Sequence, residues 1–511
     1  MKGEIESYSD YAADALFQTE ILVIGTGAGG GVVGAELAEA GIDVTFVEEG
    51  AYYRSEDFDP HLSRALPQLY RDAGATMIMG KAPIPYVEGR CVGGSTVING
   101  AMTYRPPERV LSDWADMSAC DELGPKGLDW ALSRVESRIH AKAQNSESIG
   151  GDNRVMQEGS RRLGWRYTEN RRNQEHCVGT NTCVTGCPTG AKQSTLVSYM
   201  PRALSQGARV LTEVRIESLI IEHGRCVGAK GRAIHPITRA KDKRVVIRAQ
   251  AVVVAAGAVQ TPNLLLKHRL GRPSRELGRN FLCHPNAKMF GIFPYEVQGW
   301  KGVSQAGQVK EMEDEGIVLG INFIPPGLVA LGVEDIADEG WTTMQRYNHM
   351  VVGACLVEDS TSGRVRRSPF GSAFVRYDIT PWDLKRFIRG SIAMAELWFE
   401  MGAEAVNMPF VGWPLISSMD ALRAMDTRRL KERDLELFTV HLMGTARMGS
   451  RAQDSVVNLD GELWDLPGCY VADASVFPSA VGVNPQITIM AMATRIAARL
   501  PNQRRPIVAA A

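Results

Sequence analysis

Apolar residues along this chain fall into three kinds of run. Ile21 to Gly50 opens with the β-branched run ILVIG, turns through GTGAGGG, continues in the helical spacing of VVGAELAEAG, and ends in the strand-like IDVTFVEEG. Strand, tight turn, helix and second strand in that order predict the start of a doubly wound parallel sheet. The same texture returns twice. AVVVAA at Ala251 to Ala256 reads as a buried strand leading through Gly257 into the helical TPNLLLKHRL, and the strand GCYVADAS precedes the helix PQITIMAMATRIAARL near the end.

Between about 285 and 430 the pattern changes. GIVLGINFIP, HMVVGACLVE and SAFVRYDIT alternate as antiparallel strands with one wet face do. The fold class expected is therefore α/β. A Rossmann-like nucleotide domain is built from discontinuous segments (1–110, 200–284 and 431–511), and an α+β substrate domain with an antiparallel sheet occupies 285–430. Residues 111–199 connect them, and the tail NQRRPIVAAA is expected to fray.

Size and charge narrow the partners. The chain has 511 residues, 44% apolar and 23% charged, with a formal net charge of −1, so no field gathers nucleic acid or anionic lipid. The N-terminus lacks a basic start and apolar core, and no stretch is apolar enough for a membrane helix, so a cytoplasmic protein without a transmembrane segment is expected. Nine cysteines, an odd number and mostly scattered, argue against a disulfide framework.

Gly25, Gly27 and Gly30 form G-x-G-x-x-G between the first strand and helix. The first glycine permits the turn, the second lets a pyrophosphate reach the backbone, and the third lets helix and strand pack closely. Glu48, 18 positions beyond Gly30, ends the next strand where a carboxylate accepts from ribose hydroxyls. A dinucleotide is expected, and the acid argues against a 2′-phosphate without separating FAD from NAD.

Four further blocks decide between them. GRCVGGSTVINGAMTYR (Gly89 to Arg105), GAVQTPNLLLKHRLG (Gly257 to Gly271), GRNFLCHP (Gly278 to Pro285), and the C-terminal HLMGTARMG, YVADASVFPSAVGVNPQ and ITIMAMATRIA occur in an order that resembles the glucose-methanol-choline (GMC) family of flavin oxidoreductases. His268 and Arg269 depart from its second signature, where serine and glycine are usual. The resemblance implies FAD, with Gly93, Gly94, Ser95, Asn99, Val214, Asp473 and Pro485 among the residues along it. Some members attach the flavin through a histidine just before the signature asparagine; here that position is Ile98, which implies non-covalent FAD.

Oxidising an alcohol needs a base for the hydroxyl proton while hydride leaves for flavin N5, and imidazole suits neutral pH. The resemblance makes His441 that base and Asn484 the hydrogen-bonding partner of the substrate oxygen. A helix begun by Pro485 would aim its positive end at what lies before Asn484, which the resemblance implies is the pyrimidine side of the flavin. Asp473 also reads as an ordinary turn or cap aspartate.

Cys177, Cys183 and Cys187 form C-x5-C-x3-C with a proline after the last. Soft thiolates suit iron, and the spacing resembles GMC dehydrogenases whose catalytic subunit carries a 3Fe-4S cluster. Three reduced thiols, a disulfide, or zinc with His176 as a fourth ligand remain open. With a cluster, electrons pass to an acceptor protein; without one, oxygen is the acceptor. A flavin-containing lyase and a non-catalytic electron-transfer subunit are the rivals from other classes. An alcohol pocket lined from 285–430 is expected to draw on Phe323, Leu328, Trp341, Tyr347 and Trp398.

Overall fold

The computed structural model describes residues 3–322, 325–332 and 340–500. Its frame is an eight-stranded sheet, in which the strand Asp14–Ile24 is flanked in parallel by Val44–Val47 and by Lys243–Val254. Asp14–Ile24 alternates between more and less exposed positions in its first half and is mostly buried in its second. Lys243–Val254 is the hinge of the sheet. Its last residues pair in parallel with Cys469–Val471, whereas its first pair antiparallel with Arg225–Ala233, which folds back onto Val214–Glu222. The three expected nucleotide-fold fragments thus meet on one strand.

Close approach is built into the helices. A Cβ on Gly34 would lie 2.3 Å from the Phe46 ring, so the helix Gly30–Glu39 can lie flat on Val44–Val47. Gln486–Arg499 packs against that helix and against Pro125–Arg138, with nearly every side chain buried. The atypical His268 acts as a tie. Just past the helix Gly257–Lys267, its Nε2 accepts from Leu219 N at 3.0 Å and fastens the helix to the antiparallel strands.

The second sheet has seven strands, all antiparallel. Its order is Ala405–Asn407, Asn286–Ile292, Met350–Val357, Ile317–Ile321, Gly307–Val309 and Tyr167–Glu169, with Leu437–Phe438 on the end of Asn286–Ile292. The expected wet face is absent here. One face is sealed by the helix Pro381–Glu400, started by a Thr380–Asp383 capping box, and the other turns inward toward the histidines described below. Glycines make the seal possible: Cβ atoms on Gly291 and Gly353 would stand about 3.0 Å from Trp398, and one on Gly390 would strike Cys355 Sγ. Trp398 is therefore core on the far side of the sheet, a correction to its expected place in the pocket.

Other aromatic expectations divide. Trp341 is 75% exposed and Leu328 is 40% exposed, while Tyr347 packs on a small cluster of Phe290, Ile292, Val329, Met350 and Val352. Phe323 and the tail from Pro501 lie outside the described residues. A wet face does occur on a four-stranded sheet that joins Arg364–Arg367 and Ala373–Arg376 to Thr76–Met79 and Ile84–Tyr86. Among the described residues, no helix is long and apolar enough to cross a membrane.

Candidate active site

The first turn and the first signature meet backbone to backbone. Gly25 takes φ +102°, a conformation that favours glycine, and Gly94 takes φ +52°. A Cβ on Gly94 would sit 2.9 Å from Gly27 Cα, whereas a Cβ on Gly27 would find nothing nearer than Gly94 Cα at 3.9 Å. Gly27 thus borders open space. That space is a cavity of about 630 Å³, whose wall includes Gly25, Gly27, Glu48, Gly94, Ser95, Val214, Asp473 and Pro485. The helices starting at Gly30 and Gln486 bring unpaired amides and positive dipole ends toward it, which favours an anion.

Glu48 is buried and organises the turn: Oε2 accepts from Thr26 Oγ1 at 2.8 Å and Thr26 N at 3.2 Å, and Oε1 from Gly50 N at 3.0 Å. Burial raises its pKa, with these hydrogen bonds opposing the rise. Asp473 is both cavity wall and cap. Its Oδ2 accepts from Gly257 N at 2.8 Å and Thr261 Oγ1 at 2.5 Å, and Oδ1 from Ser475 N at 2.8 Å, so one carboxylate joins two of the nucleotide-fold fragments.

Three predicted residues support the cavity rather than line it. Gly30 packs on Gly25, Gly93 donates its amide to Thr26 Oγ1 at 3.0 Å, and Asn99 is hydrogen-bonded to Gln486. Arg71, bridging Glu49 (3.1 Å) and Glu88 (3.4 Å) at the cavity wall, was not anticipated, because no local pattern marks a residue that matters only through distant partners.

His441 lies in sequence between two wall residues of the cavity, Val440 and Leu442, without lining it itself. Its Nε2 is 3.0 Å from Asn484 Nδ2, and its Nδ1 is buried without a hydrogen-bond partner among the described residues. Donation from the amide places the lone pair on Nε2. Leu282 and Met443 exchange backbone hydrogen bonds, both 3.0 Å, which bring GRNFLCHP beside HLMGTARMG and set the His284 ring edge-on to His441 at 5.6 Å. His284 Nε2 accepts from Gly482 N at 3.1 Å. Burial, then the charges of His284 and Lys288, hold the His441 pKa well below the usual imidazole value, and burial pulls His284 down to about 4. Both rings are neutral near pH 7. His284 and Lys288 were given no role in advance, although GRNFLCHP itself was recognised.

Models of the GMC oxidoreductase family match residues 66–286 and 359–493 of this chain. The chain belongs to the GMC oxidoreductase family. It is similar to an uncharacterised GMC-type oxidoreductase of Mycobacterium tuberculosis, at 34% identity over 94% of this chain and 75% of that one. A long-chain-alcohol oxidase of Arabidopsis thaliana is 28% identical over 94% of this chain and 67% of its own. Pyridoxine 4-oxidase from Mesorbium loti shares the fold, with a TM-score of 0.71 at 18% identity, covering 95% of this chain and all of that structure.

FAD fits this GMC site. The bare Gly27–Gly94 backbone leaves room for a pyrophosphate, Glu48 lies on the cavity wall, and Gln486 Nε2 is a buried donor without a partner among the described residues. Nothing in the structure supports an iron-sulfur cluster at Cys177, Cys183 and Cys187. All three are free thiols, and among the described residues no three His, Cys, Asp or Glu side chains are gathered around one point. Their neighbours explain why: Cys183 Sγ accepts from Arg172 at 3.3 Å, and Cys187 Sγ from Lys192 N at 3.4 Å. Lys192 Nζ donates to Val97 O (2.5 Å), Asn99 O (2.9 Å) and Cys183 O (2.6 Å), so the loop buttresses the first signature.

Proposed function

We propose that this oxidoreductase converts an alcohol to a carbonyl compound, with His441 as the base. When bound, FAD accepts the hydride at N5. The protein's part is to let a hydroxyl replace the direct 3.0 Å hydrogen bond between the Asn484 amide and His441 Nε2, so that the oxygen accepts from Asn484 as its proton passes to the imidazole. The contact of a buried, neutral imidazole with the part-buried Asn484 amide, each next in sequence to a wall residue of the cavity, is the observation that carries the proposal. The burial that keeps His441 neutral also excludes water from the reacting oxygen.

Residues 1–110, 200–284 and 431–511 hold the cofactor, 285–430 the alcohol, and 111–199 the connection. Ile98 has no nucleophile, which supports non-covalent FAD. The final electron acceptor is oxygen or an acceptor protein. The alcohol-oxidising name of the Arabidopsis relative supports the substrate class. The test is anaerobic mixing of the FAD-loaded protein with primary alcohols of graded length. Bleaching of the flavin with matching aldehyde is the expected result. Carbonyl product without bleaching, in wild type, would instead establish the lyase.

A further inference from the structure

His441 and Asn484 stand 43 residues apart in sequence, yet their side chains meet at 3.0 Å, and a dipeptide from a third segment ties both to one place. Cys283 and His284 are wholly buried. On one side the carbonyl of Cys283 accepts from the Thr439 hydroxyl, and that hydroxyl in turn accepts from His441 N at 3.3 Å. On the other side His284 Nε2 accepts from Gly482 N at 3.1 Å, two residues before Asn484. The dipeptide thus holds the backbone behind the imidazole with one arm and the backbone behind the amide with the other.

One carboxylate fixes that dipeptide. The Asp359 side chain is fully buried; its Oδ1 accepts from Cys283 N at 2.9 Å and its Oδ2 from His284 N at 2.8 Å. Two consecutive amides on one carboxylate set the direction of both arms, and they hold His284 at φ +41°, a left-handed conformation uncommon for so large a side chain. Among the described residues no lysine or arginine pairs with Asp359, so the two amides are what compensates its burial. The His284 ring makes no other hydrogen bond among the described residues: with Nε2 accepting, its proton sits on Nδ1, which is buried and unpaired. A buried open donor is unfavourable, and packing alone would suit an apolar ring better.

We propose that Asp359 is a positioning residue of the reaction, which orients the Cys283–His284 backbone and through it sets how His441 faces Asn484. This rests on the alcohol-oxidising reading of that pair. Asp359 hydrogen-bonds to neither of them; it acts through Thr439 on one and through His284 and Gly482 on the other. An amide at position 359 keeps one acceptor oxygen and turns a donor toward the second backbone N–H, so one arm loosens while most of the packing stays. Misplacing reacting groups by about 1 Å slows a reaction roughly 100-fold.

The test follows anaerobic flavin reduction in FAD-loaded wild type, Asp359→Asn, Asn484→Ala and the double variant, with primary alcohols from ethanol to 1-dodecanol as probes. Asp359→Asn should lower the saturating rate about 10- to 100-fold and change the half-saturating alcohol concentration less than about threefold. In the Asn484→Ala background the same substitution should cost no more than about a third of that factor, because the amide it places is gone. Hydrogen exchange without substrate should quicken in peptides covering 439–443 and 480–485 and stay unchanged in the strand Asp14–Ile24. His284→Leu removes only the arm to Gly482 and should slow reduction; His284→Gln, whose side-chain oxygen can accept in place of Nε2, should recover much of the rate. A wild-type rate in Asp359→Asn, or the same factor in both backgrounds, overturns the inference and leaves the alcohol-oxidising reading standing. If Asp359→Asn does not fold, equal rates in His284→Leu and His284→Gln overturn it. If no alcohol bleaches wild type while exchange quickens as expected, the tether stands and the alcohol-oxidising reading falls.

Discussion

Two glycines of one motif should respond to the same methyl group in opposite ways. Gly30→Ala places a Cβ 1.9 Å from Gly25 O and 3.2 Å from Ala255 Cβ, a clash with backbone that has nowhere to go. Overpacking of this kind costs about 1–3 kcal/mol, a large share of an ordinary domain's ~5–15 kcal/mol, so the apoprotein should unfold at visibly lower denaturant. Gly27→Ala meets no atom nearer than 3.9 Å, and Gly27 does not adopt a positive φ. Its apoprotein stability should stay within about 1 kcal/mol of wild type, with a slight gain from the stiffer unfolded chain. The methyl instead stands where a pyrophosphate must touch the backbone. Losing one or two charge-assisted hydrogen bonds, about 1.5–3 kcal/mol each, weakens FAD by roughly 10- to 10,000-fold. Urea unfolding of apoprotein and fluorescence titration of FAD measure the two quantities separately. FAD affinity within threefold of wild type in Gly27→Ala would show that the pyrophosphate lies elsewhere, and wild-type stability in Gly30→Ala would refute the packing argument.

Three other outcomes follow from the geometry. Because burial, His284 and Lys288 keep His441 neutral, flavin reduction should not fall as pH drops from 8 to 6.5, and the acid limb should lie below 6.5; His441→Ala should slow reduction about 100- to 10,000-fold with FAD retained. An acid limb above 6.5, or more than a tenth of the wild-type rate in the variant, contradicts this. Trp398→Ala should cost about 3–5 kcal/mol by denaturation without changing the ranking of alcohols, since the ring fills the far side of the sheet. Protein purified anaerobically should lack stoichiometric iron and acid-labile sulfide, and Cys177→Ser should reduce its flavin at the wild-type rate; stoichiometric iron lost in that variant would restore the cluster.

Local chemistry determined much of this protein in advance. The strand-turn-helix pattern around Gly25, Gly27 and Gly30 depends on contacts within a few residues, and recognisable blocks pointed to His441 and Asn484 without any knowledge of where the chain went between them. What lay beyond reach were the properties set by partners remote in sequence. Trp398 reads as a pocket aromatic until Gly291 and Gly353, 107 and 45 residues earlier, are found beneath it on the sheet's far face. Three cysteines at a ligand-like spacing look like a metal site, but sulfur positions depend on how the loop lies, and here Cys183 and Cys187 accept hydrogen bonds from Arg172 and Lys192. His284 and Lys288 acquire their roles only when Leu282 pairs with Met443 and Asn286 with Phe438, because charge and burial act through space while spacing in sequence records only the order of the chain.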